Sequence, residues 1–408
     1  MWRAAVAAAL PSACLPGNWP AAPHGRLAVI ACGKAAAGMA AAAVRHYGDR
    51  CEGIVILPDG PDAARSVPPG LRPFPASHPY PDERSVSAAR AALGLAAGLG
   101  RADLLLTLLS GGGSALMCLP TAGVALSDKQ SLTRQLLASG AAIEEINCIR
   151  KHLSGVKGGR LALASGAPVV TLAISDVPGD DPGTIASGPT VADGSTLADA
   201  RGVLHRYGIE PAPAIRRALA DPANEAPKPG ELDDGSKFHI VASGMTALQA
   251  AATWCRGHDV ETLLLGDQLQ GEAQVLAREH ARQAAGLAAA GRSLCLLSGG
   301  ETTVKVRPHP GRGGRNTEYA LALALTLDRQ PGVWALAADT DGIDGVGGHA
   351  GALVDPHTLD RAAGAGLDAD GCLQRNDSAG FFERAGGLLA DGPTGTNVND
   401  FRAILINP

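Results

Sequence analysis

Six short apolar segments of this chain each end in a turn of small, polar or charged residues. The turns are CGK, SGGGS, SDVPGDD, ASGMT, SGGETT and ADTDGIDG. Stretches that read as helices lie between these segments, and strands alternating with helices favour a parallel, doubly wound sheet. In such sheets the ligand crevice lies beyond the carboxyl ends of the strands. The pattern therefore predicts an α/β fold with a ligand site where these turns meet.

The length of the chain favours two domains rather than one. A chain of 408 residues is long for a single hydrophobic core. Residues 221–236 are rich in proline, glycine and acids and have no periodicity, which is typical of a linker. We therefore expect an N-terminal domain over residues 1–230, with a Rossmann-like, mostly parallel sheet, and a C-terminal α/β domain over 236–408. Exchange of segments between the two domains stays open.

The composition of the chain indicates which kinds of partner it binds and in which cellular compartment it is found. The net charge of −5 argues against nucleic acid as the main partner. The eight cysteines contain no CxxC pair, which favours reduced thiols and a cytoplasmic protein rather than disulfides or a zinc site. Because the chain has no strongly apolar run of 18 residues, we expect no membrane span.

Glycine-rich turns suited to phosphate occur at two distant places in the chain. Glycine lets backbone amides approach an anion closely, so each turn could cradle a phosphate. We expect the two turns to form facing walls of one cleft, although an ordinary strand-to-helix connection is the alternative for either. The candidate phosphate-binding residues are Ser110, Gly111, Gly112, Gly113 and Ser114, then Ser298, Gly299, Gly300, Glu301 and Thr302, and finally Gly313 and Gly314.

Several isolated cations could hold an anionic substrate. Arg315, followed by Asn316, precedes the predicted helix 319–327 and would lie at its positive end. Lys34 follows the first strand, although it could simply be an exposed lysine. Residues 141–156 have helical periodicity, and a solvated flank is the alternative for the polar stripe that this helix would carry. The stripe contains Asn147, Arg150, Ser154 and Lys157.

Two aspartates follow predicted strands and are candidate magnesium ligands. Asp176 lies in SDVPGDD and Asp341 in ADTDGIDG. Magnesium is usually bound through one or two carboxylates together with water and substrate phosphates. A helix cap or a turn is nearly as good an interpretation of either aspartate.

Neither common nucleotide-binding fingerprint is present. The dinucleotide pattern GxGxxG fails because Ala31 and Ala36 replace glycines, and a Walker loop fails because Ala28 and Ala35 replace its glycine and its hydroxyl residue. The remaining set of phosphate-suited turns, cations and acids is what phosphoryl transfer requires.

The chain resembles the class II D-glycerate 2-kinases, whose C-terminal part is the MOFRL domain. The shared phrases include GKAAAGMA, HPYPDE, LLSGGGSAL, SDVPGDDPGTIASGPT, GRGGRNTEYAL and GPTGTNVND. The resemblance implies two α/β domains with the active site in the cleft between them, the MOFRL region at about 293–402, and transfer of a phosphoryl group from ATP, with Mg²⁺, to the 2-hydroxyl of D-glycerate. Lys34 and Arg315 correspond to the family's GKA lysine and GGRN arginine, which implies that they act in catalysis or substrate binding.

The resemblance turns the candidate residues into a mechanistic hypothesis. Arg315, with Arg150 or Lys157, is expected to hold the carboxylate of glycerate, while Lys34 stabilises the transferring group.

Two alternative functions stay open, an NAD(P)H-dependent hydroxypyruvate reductase and a non-catalytic binder of phosphorylated metabolites. At residues 58–60 the chain has PDG where relatives often have lysine and histidine. The sequence leaves open whether the protein is a homodimer.

Overall fold

The chain forms two compact units in a computed structural model that describes residues 1–61, 63–233, 235–308 and 310–408. The Rossmann-like unit comprises Cys14–Val241, and the C-terminal unit comprises Met1–Ala13 together with Ala242–Pro408. These units differ from the expected domains, because the first 13 residues join the C-terminal unit and the division falls after residue 241. Residues 221–233 of the expected linker belong to the Rossmann-like unit, where the Pro227 carbonyl accepts a hydrogen bond from the Asp193 amide at 2.8 Å.

The strands follow the apolar segments of the sequence. In chain order they are β1 (Leu27–Cys32), β2 (Cys51–Pro58), β3 (Leu71–Ala76), β4 (Leu104–Leu109), β5 (Val169–Ile174), β6 (Lys237–Ala242), β7 (Thr262–Glu272), β8 (Leu294–Thr303), β9 (Val333–Asp339), β10 (Gly351–Val354), β11 (Leu388–Leu389) and β12 (Asp400–Ile406).

Helices lie between most of the strands. In chain order they are α1 (Trp2–Ala9), α2 (Pro11–Cys14), α3 (Ala36–Tyr47), α4 (Glu83–Ala97), α5 (Gly113–Leu116), α6 (Leu126–Ala138), α7 (Ile143–His152), α8 (Arg160–Leu163), α9 (Leu197–Arg206), α10 (Pro213–Ala220), α11 (Gly244–Arg256), α12 (Ala273–Ala289), α13 (Arg315–Leu327), α14 (Thr358–Gly364), α15 (Ala369–Gln374) and α16 (Ser378–Ala385).

The first sheet has the strand order β3-β2-β1-β4-β5-β6. Its pairs from β3 to β5 are parallel. Ala28 and Val29 point to opposite faces of β1 and both are fully buried, so the sheet is covered on both sides. The expected α/β fold with a Rossmann-like, mostly parallel sheet is confirmed.

Strand β3 has a proline-rich sequence, LRPFPA, which is more typical of a loop than of a strand. Pro73 and Pro75 alternate along it, and β3 lies at the edge of the sheet with β2 as its neighbour. Proline cannot donate a backbone hydrogen bond, so it is tolerated on an edge strand where one side has no partner.

The second sheet is mixed and has the order β11-β10-β9-β12-β8-β7. Its pair β7–β8 is parallel, whereas β12 is antiparallel to both β8 and β9. Helices α12, α13 and α16 contribute to a buried core with strands of this sheet. Within the described residues, none of the helices is long and apolar enough to cross a membrane.

The SGGETT segment, residues 298–303, is not the sharp turn that the sequence analysis predicted. It is the second half of β8, with Gly300 paired to Leu269 on one side and Asp400 on the other. Gly300 has φ +118, and a Cβ there would overlap the backbone of Leu269. The glycine therefore serves a close approach between strands, a role that the sequence alone could not distinguish from phosphate binding.

Candidate active site

The GKA and SGGGS segments meet where the strand order of the first sheet reverses. Strands β1 and β4 are neighbours, so the loops that follow them leave the same edge of the sheet. The Lys34 amide donates to the Gly111 carbonyl at 2.8 Å, and the Ala35 amide donates to Ser110 Oγ at 3.0 Å. Two predicted site segments are thus joined directly.

Two glycines allow this approach. Gly33 has φ +129, and a Cβ there would lie 2.5 Å from the Ser110 carbonyl oxygen. Gly112 has φ +83, and a Cβ there would lie 3.0 Å from the His78 ring and 3.7 Å from Lys34 Cγ. Lys34 and His78 therefore border the SGGGS turn, and the exposed side chain of Lys34 lies beside it.

A cavity of about 330 Å³ lies beside this turn. Its volume is in the range of small-molecule sites. One face of α6, part of the HPYP segment and residues of α5 and α7 supply its walls. The lining residues are His78, Pro79, Tyr80, Pro81, Gly112, Ser114, Ala115, Cys118, Lys129, Gln130, Thr133, Arg134, Leu137, Arg150 and Lys157.

The lining carries four cationic side chains and, among the described residues, no aspartate or glutamate. Buried charges are normally paired, because removing an ion from water without a partner costs several kcal/mol. An unneutralised group of cations in a cavity is the arrangement expected for an anionic ligand. The cations are Lys129, Arg134, Arg150 and Lys157.

Arg150 is the cation best placed to receive a ligand. It lies in the last turn of α7, and burial lowers the pKa of its guanidinium, while the charge of a Cys118 thiolate would oppose that shift. In the part of the chain that the structure describes, its guanidinium makes neither a hydrogen bond nor an ion pair. Its planar donors can therefore bind a carboxylate through two bonds.

Lys129 was missed by the sequence analysis. Its ammonium donates to the Arg150 and Leu153 carbonyls, at 3.2 and 2.8 Å, near the end of α7, and burial lowers its pKa to about 8. Lys129 shares a buried helix face with Leu132 and Leu136, at i+3 and i+7. A lysine at that spacing among leucines is the signal that could have identified it.

The predicted helix over 141–156 was too long, because α7 ends at His152. Ser154 and Lys157 therefore lie in the following turn, where Ser154 Oγ accepts the Val156 and Lys157 amides at 3.2 Å. Both side chains are almost fully buried, so a solvated flank, which was the alternative interpretation of the stripe, does not describe them. The Lys129 ammonium donates to the Arg150 and Leu153 carbonyls, and such a contact to the last carbonyls of a helix favours its end at this point.

Residues 186–190, which we call the SGPT loop, contact the SGGGS turn and Lys157 through hydrogen bonds. Ser187 Oγ lies 2.7 Å from Ser114 Oγ, and Lys157 Nζ donates to the Ala186 carbonyl at 3.4 Å. Ala186 and Ser187 have φ +51 and +59, and such strain persists only where surrounding contacts enforce it. Asp176 lies two residues beyond β5, the strand next to β4, so it belongs to the same edge of the sheet.

Arg315 belongs to the C-terminal unit, as the first residue of α13. Its guanidinium donates to one carboxylate through each nitrogen, so it is already neutralised by the chain. Burial alone would lower its pKa, but the negative charges of these partners raise it above its usual value. The partners are Asp400 at 2.6 Å, Glu301 at 2.7 Å and Asp339 at 2.7 Å.

Asn316 and the glycines before Arg315 organise the start of α13. The Asn316 amide and the Thr317 amide donate to the Asp344 carboxylate at 2.9 and 2.8 Å, and Asn316 Nδ2 donates to Asp400 at 2.7 Å. A Cβ on Gly314 would overlap Asp344. On Gly313 a Cβ would lie 2.5 Å from Ser378 Oγ.

The acidic side chains around Arg315 repel one another. Burial raises the pKa of Asp339 well above its usual value; Arg315 opposes this shift, and the charges of Asp341 and Asp400 add to it. The Asp341 amide donates to Asp339 Oδ1 at 3.0 Å. Within residues 1–61, 63–233, 235–308 and 310–408, no three His, Cys, Asp or Glu side chains form a group that could hold a metal ion.

The predicted phosphate-binding residues of β8 are bound within the sheet. Ser298 and Thr302 are buried, and the Thr302 amide donates to Asp400 at 3.2 Å. Gly299 is paired with Phe401. Glu301 is exposed and pairs with Arg315.

Comparison with known proteins identifies relatives over the whole chain. A family described as a domain of unknown function, DUF4147, matches residues 1–220, and the MOFRL family matches residues 294–400. A protein of Agrobacterium vitis, provisionally named a hydroxypyruvate reductase, is 48% identical over 100% of this chain and 93% of its own. The D-glycerate 2-kinase of Thermotoga maritima is 40% identical over 92% of this chain and 89% of its own.

A solved structure has the same fold. The crystal structure of glycerate kinase from Thermotoga maritima aligns with a TM-score of 0.89 and 37% sequence identity. The alignment covers 99% of this chain and 97% of that protein.

Proposed function

Since this chain belongs to the glycerate kinase family that carries the MOFRL domain, we propose that it transfers the γ-phosphoryl group of ATP to the 2-hydroxyl of D-glycerate. The products are 2-phospho-D-glycerate and ADP. The observation that carries the proposal is the cavity lined by four cations and, among the described residues, no carboxylate, beside the glycine-rich turn at the strand-order reversal. Glycerate is a small anion that suits such a site.

Arg150 is the proposed carboxylate-binding residue. Its guanidinium has no hydrogen-bond partner in the described parts of the chain, whereas Arg315 already bonds to three carboxylates. We therefore assign the glycerate carboxylate to Arg150, with Lys129 supplying further positive charge. Lys157 lies close by but is saturated by carbonyl and hydroxyl acceptors. Its proposed role, with Ser154, is to hold the turn in place.

The SGGGS turn is the proposed phosphate-binding segment. The amides of Gly111 and Gly112 have no hydrogen-bond acceptor within the described residues, so they can donate to phosphate oxygens. Lys34, beside Gly112, can stabilise the negative charge on the transferring group. The SGGETT segment is less suited, because its amides face neighbouring strands.

Magnesium fits these acids only as an ion that arrives with the nucleotide. Asp176 in the Rossmann-like unit and Asp341 in the C-terminal unit each offer carboxylate oxygens, the donor type that Mg²⁺ prefers, and one such ligand in either unit suffices when phosphates and water complete the shell of the ion. The bound ion would neutralise charge on the nucleotide phosphates. The proposed role of Arg315 and Asn316 is to position Asp339 and Asp400 next to Asp341.

The deciding experiment is ³¹P NMR of the products formed from ATP, Mg²⁺ and D-glycerate. A resonance of 2-phosphoglycerate that grows with ADP supports the proposal, and a 3-phosphoglycerate resonance or no transfer contradicts it. The Arg150→Met variant should lose about 10² in kcat/KM for glycerate, with most of the change in KM. Arg90→Met, which removes an exposed arginine on α4, is the matched control.

The reductase alternative rests on the provisional name of the Agrobacterium vitis relative. Ala31 and Ala36 stand where the dinucleotide fingerprint requires glycine, which weighs against it. An absorbance assay with NADH, NADPH and hydroxypyruvate should give no oxidation above background. The cytoplasmic location and the homodimer stay predictions.

A further inference from the structure

Three sulfur atoms from distant parts of the chain meet inside the C-terminal unit. The Cys255 thiol donates a hydrogen bond to Met1 Sδ at 3.2 Å, and the Cys295 thiol donates to the same atom at 3.7 Å. Cys255 lies near the end of α11 and Cys295 near the start of β8, and both thiols are free and fully buried. We call Met1 Sδ and these two thiol sulfurs the sulfur cluster.

The two thiols of the sulfur cluster oppose each other's ionisation. Burial raises the pKa of both thiols, and the negative charge of a Cys255 thiolate adds to the shift at Cys295, whose pKa is about 12. A metal cation removes this obstacle, because its charge attracts both sulfurs as thiolates and a coordinating thiol loses its proton. The pair is therefore inert as thiols and suited to a bound cation.

The donor atoms of the sulfur cluster favour a soft metal ion. Thiolates and thioethers are soft ligands that select Cu(I), whereas Mg²⁺ and Ca²⁺ take oxygen ligands. Structural Zn²⁺ sites almost always have four ligands, and the sulfur cluster offers three. Its third donor is a methionine, so it differs from groups of three His, Cys, Asp or Glu side chains, which do not occur among the described residues.

The spacing of the three sulfurs suits a single ion. Three sulfurs that surround a metal in a trigonal plane at about 2.3 Å lie about 4 Å from one another. Met1 Sδ already lies 3.2 and 3.7 Å from the thiol sulfurs, so it would need to move outward by less than about 1 Å. Methionine has three rotatable side-chain bonds and adapts readily to such a shift.

A second cavity gives an ion a route to the sulfur cluster. This cavity has a volume of about 300 Å³, and Met1, Trp2, Trp334, Leu353 and Leu405 are among the residues that line it. Met1 is partly exposed, whereas the two thiols lie behind it and are fully buried. An arriving ion would therefore meet the thioether first. The apolar lining limits the access of water, which protects a soft ion bound to sulfur.

We propose that Met1, Cys255 and Cys295 form a binding site for one Cu(I) ion. Each of the three sulfurs forms one bond to copper, and the two thiol protons leave to the buffer. No electron is transferred, because copper enters and stays as Cu(I). The sulfur cluster belongs to the C-terminal unit and the cation-lined cavity to the Rossmann-like unit, so this inference does not depend on the proposed function.

The first test is an anaerobic competition for Cu(I) between the intact, reduced chain and the coloured chelator bathocuproine disulfonate. The loss of absorbance of the copper–chelator complex measures the copper that the protein withdraws. We expect the withdrawal to saturate at one Cu(I) ion per chain. No withdrawal, or a withdrawal that continues past one ion without saturating, would overturn the proposal.

Variants show whether the withdrawn copper is bound at the sulfur cluster. Cys255→Ser and Cys295→Ser should each weaken Cu(I) binding by at least about 100-fold, because losing even an outer partner of a metal site costs about 10- to 100-fold. Cys51→Ser removes a buried free thiol from the Rossmann-like unit and is the matched control, with unchanged affinity expected. Parent affinity in either cluster variant contradicts the proposal.

X-ray absorption at the copper edge tests the site in the parent chain, where no substitution can disturb the fold. We expect three sulfur neighbours at about 2.3 Å from copper. When the methionines are replaced by selenomethionine, one of these neighbours should become selenium. A copper spectrum without a selenium neighbour would exclude Met1 as a ligand and overturn the three-sulfur site.

Counting free thiols after the copper is removed distinguishes metal binding from oxidation. Eight free thiols before and after the titration support the proposal, because Cu(I) binding transfers no electrons. The loss of two thiols, with a disulfide-linked peptide pair containing Cys255 and Cys295 in mass spectrometry, would show that the cluster was oxidised instead. That result would overturn the metal site.

Discussion

The ammonium group of Lys157 donates to both the carbonyl and the hydroxyl oxygen of Ser114, at 2.8 and 3.2 Å. It also reaches the Met117 and Ala186 carbonyls at 3.3 and 3.4 Å. One buried cation therefore connects the SGGGS turn, the end of α5 and the strained SGPT loop. Lys157 and Arg150 line the same cavity, but Lys157 hydrogen-bonds to the chain itself, whereas the Arg150 guanidinium makes no hydrogen bond within the described residues.

The Lys157→Met substitution should mainly reduce stability. Removing the ammonium relieves the burial of a charge, but it leaves up to four buried oxygen acceptors without their donor, and each such loss costs about 1 to 3 kcal/mol. We expect the free energy of unfolding to fall by about 2 kcal/mol in urea denaturation followed by circular dichroism. Lys237→Met, at an exposed lysine, should change it by less than about 0.5 kcal/mol. Equal effects of the two substitutions would contradict the assigned role.

Local sequence patterns were sufficient to predict most strands and the end of α13 at Leu327, although α13 begins at Arg315, four residues before the predicted helix. The ends of β1, β4 and β5 lie where the apolar runs end, because buried parallel strands consist of continuous apolar residues. His152 is fully buried, and its Nδ1 lies 2.9 Å from the Cys148 carbonyl one helical turn earlier. These features depend mainly on neighbours close in sequence or on burial alone.

Contacts between residues that are distant in sequence could not be predicted from the sequence patterns. Gly33 and Gly300 look alike in sequence, but one permits a loop to approach Ser110 and the other permits a strand to approach Leu269. Arg315 has partners on β8, β9 and β12, which no local spacing connects. A glycine or an arginine in a motif therefore indicates a close approach or a charge, and only the fold reveals the partner.

The affinity for glycerate should decrease as the pH rises above about 8. Burial lowers the pKa of Lys129 to about 8 and that of Lys157 to about 7, from an ordinary value of 10.5. An anionic substrate prefers the protonated lysines, so KM for glycerate should rise as Lys129 loses its proton. Arginine keeps its charge in this range. The KM of a Lys129→Arg variant should therefore stay flatter between pH 7 and 9 in steady-state assays; an equally steep rise in both proteins would rule out Lys129 as the titrating group.

The same two lysines should make the protein without ligand more stable as the pH rises, whereas the affinity for glycerate falls. At pH values between the lowered pKa and 10.5, the unfolded chain binds more protons than the folded chain. Their contribution to the free energy of unfolding is therefore least favourable below about pH 7 and becomes more favourable as the pH rises toward 10.5. The contribution can be isolated by comparing urea denaturation of the parent chain and Lys129→Met at pH 7 and 9, since the variant should lack the part due to Lys129.

The Gly33→Ala substitution should separate the GKA loop from the SGGGS turn. Its Cβ would lie 2.5 Å from the Ser110 carbonyl oxygen, and its φ of +129 is unfavourable for alanine. We expect a loss of at least about 2 kcal/mol in the free energy of unfolding and a fall in kcat/KM, because the clash displaces both Lys34 and the turn. Gly94→Ala is the control, since that exposed helical glycine has open space around it and should gain up to about 1 kcal/mol. Unchanged stability of Gly33→Ala would show that the loop can relax away from Ser110.

The Arg315→Met substitution should leave three carboxylates close together without their cation. Its side chain is 23% exposed, and Asp339 and Asp400 are 6% and 0% exposed, so solvent screens the repulsion only weakly. Removing one partner of a buried ion pair typically costs about 3 kcal/mol or more. The loss should be smaller at pH 5 than at pH 8, because the raised pKa of Asp339 lets that carboxyl take up a proton and reduces the repulsion. Thermal denaturation at the two pH values measures this difference.

The control for this prediction is Arg312→Met, which breaks an exposed ion pair with Glu383 and should change the free energy of unfolding by less than about 0.5 kcal/mol at either pH. A loss of the same size at pH 5 and pH 8 would mean that carboxylate repulsion is not what Arg315 relieves.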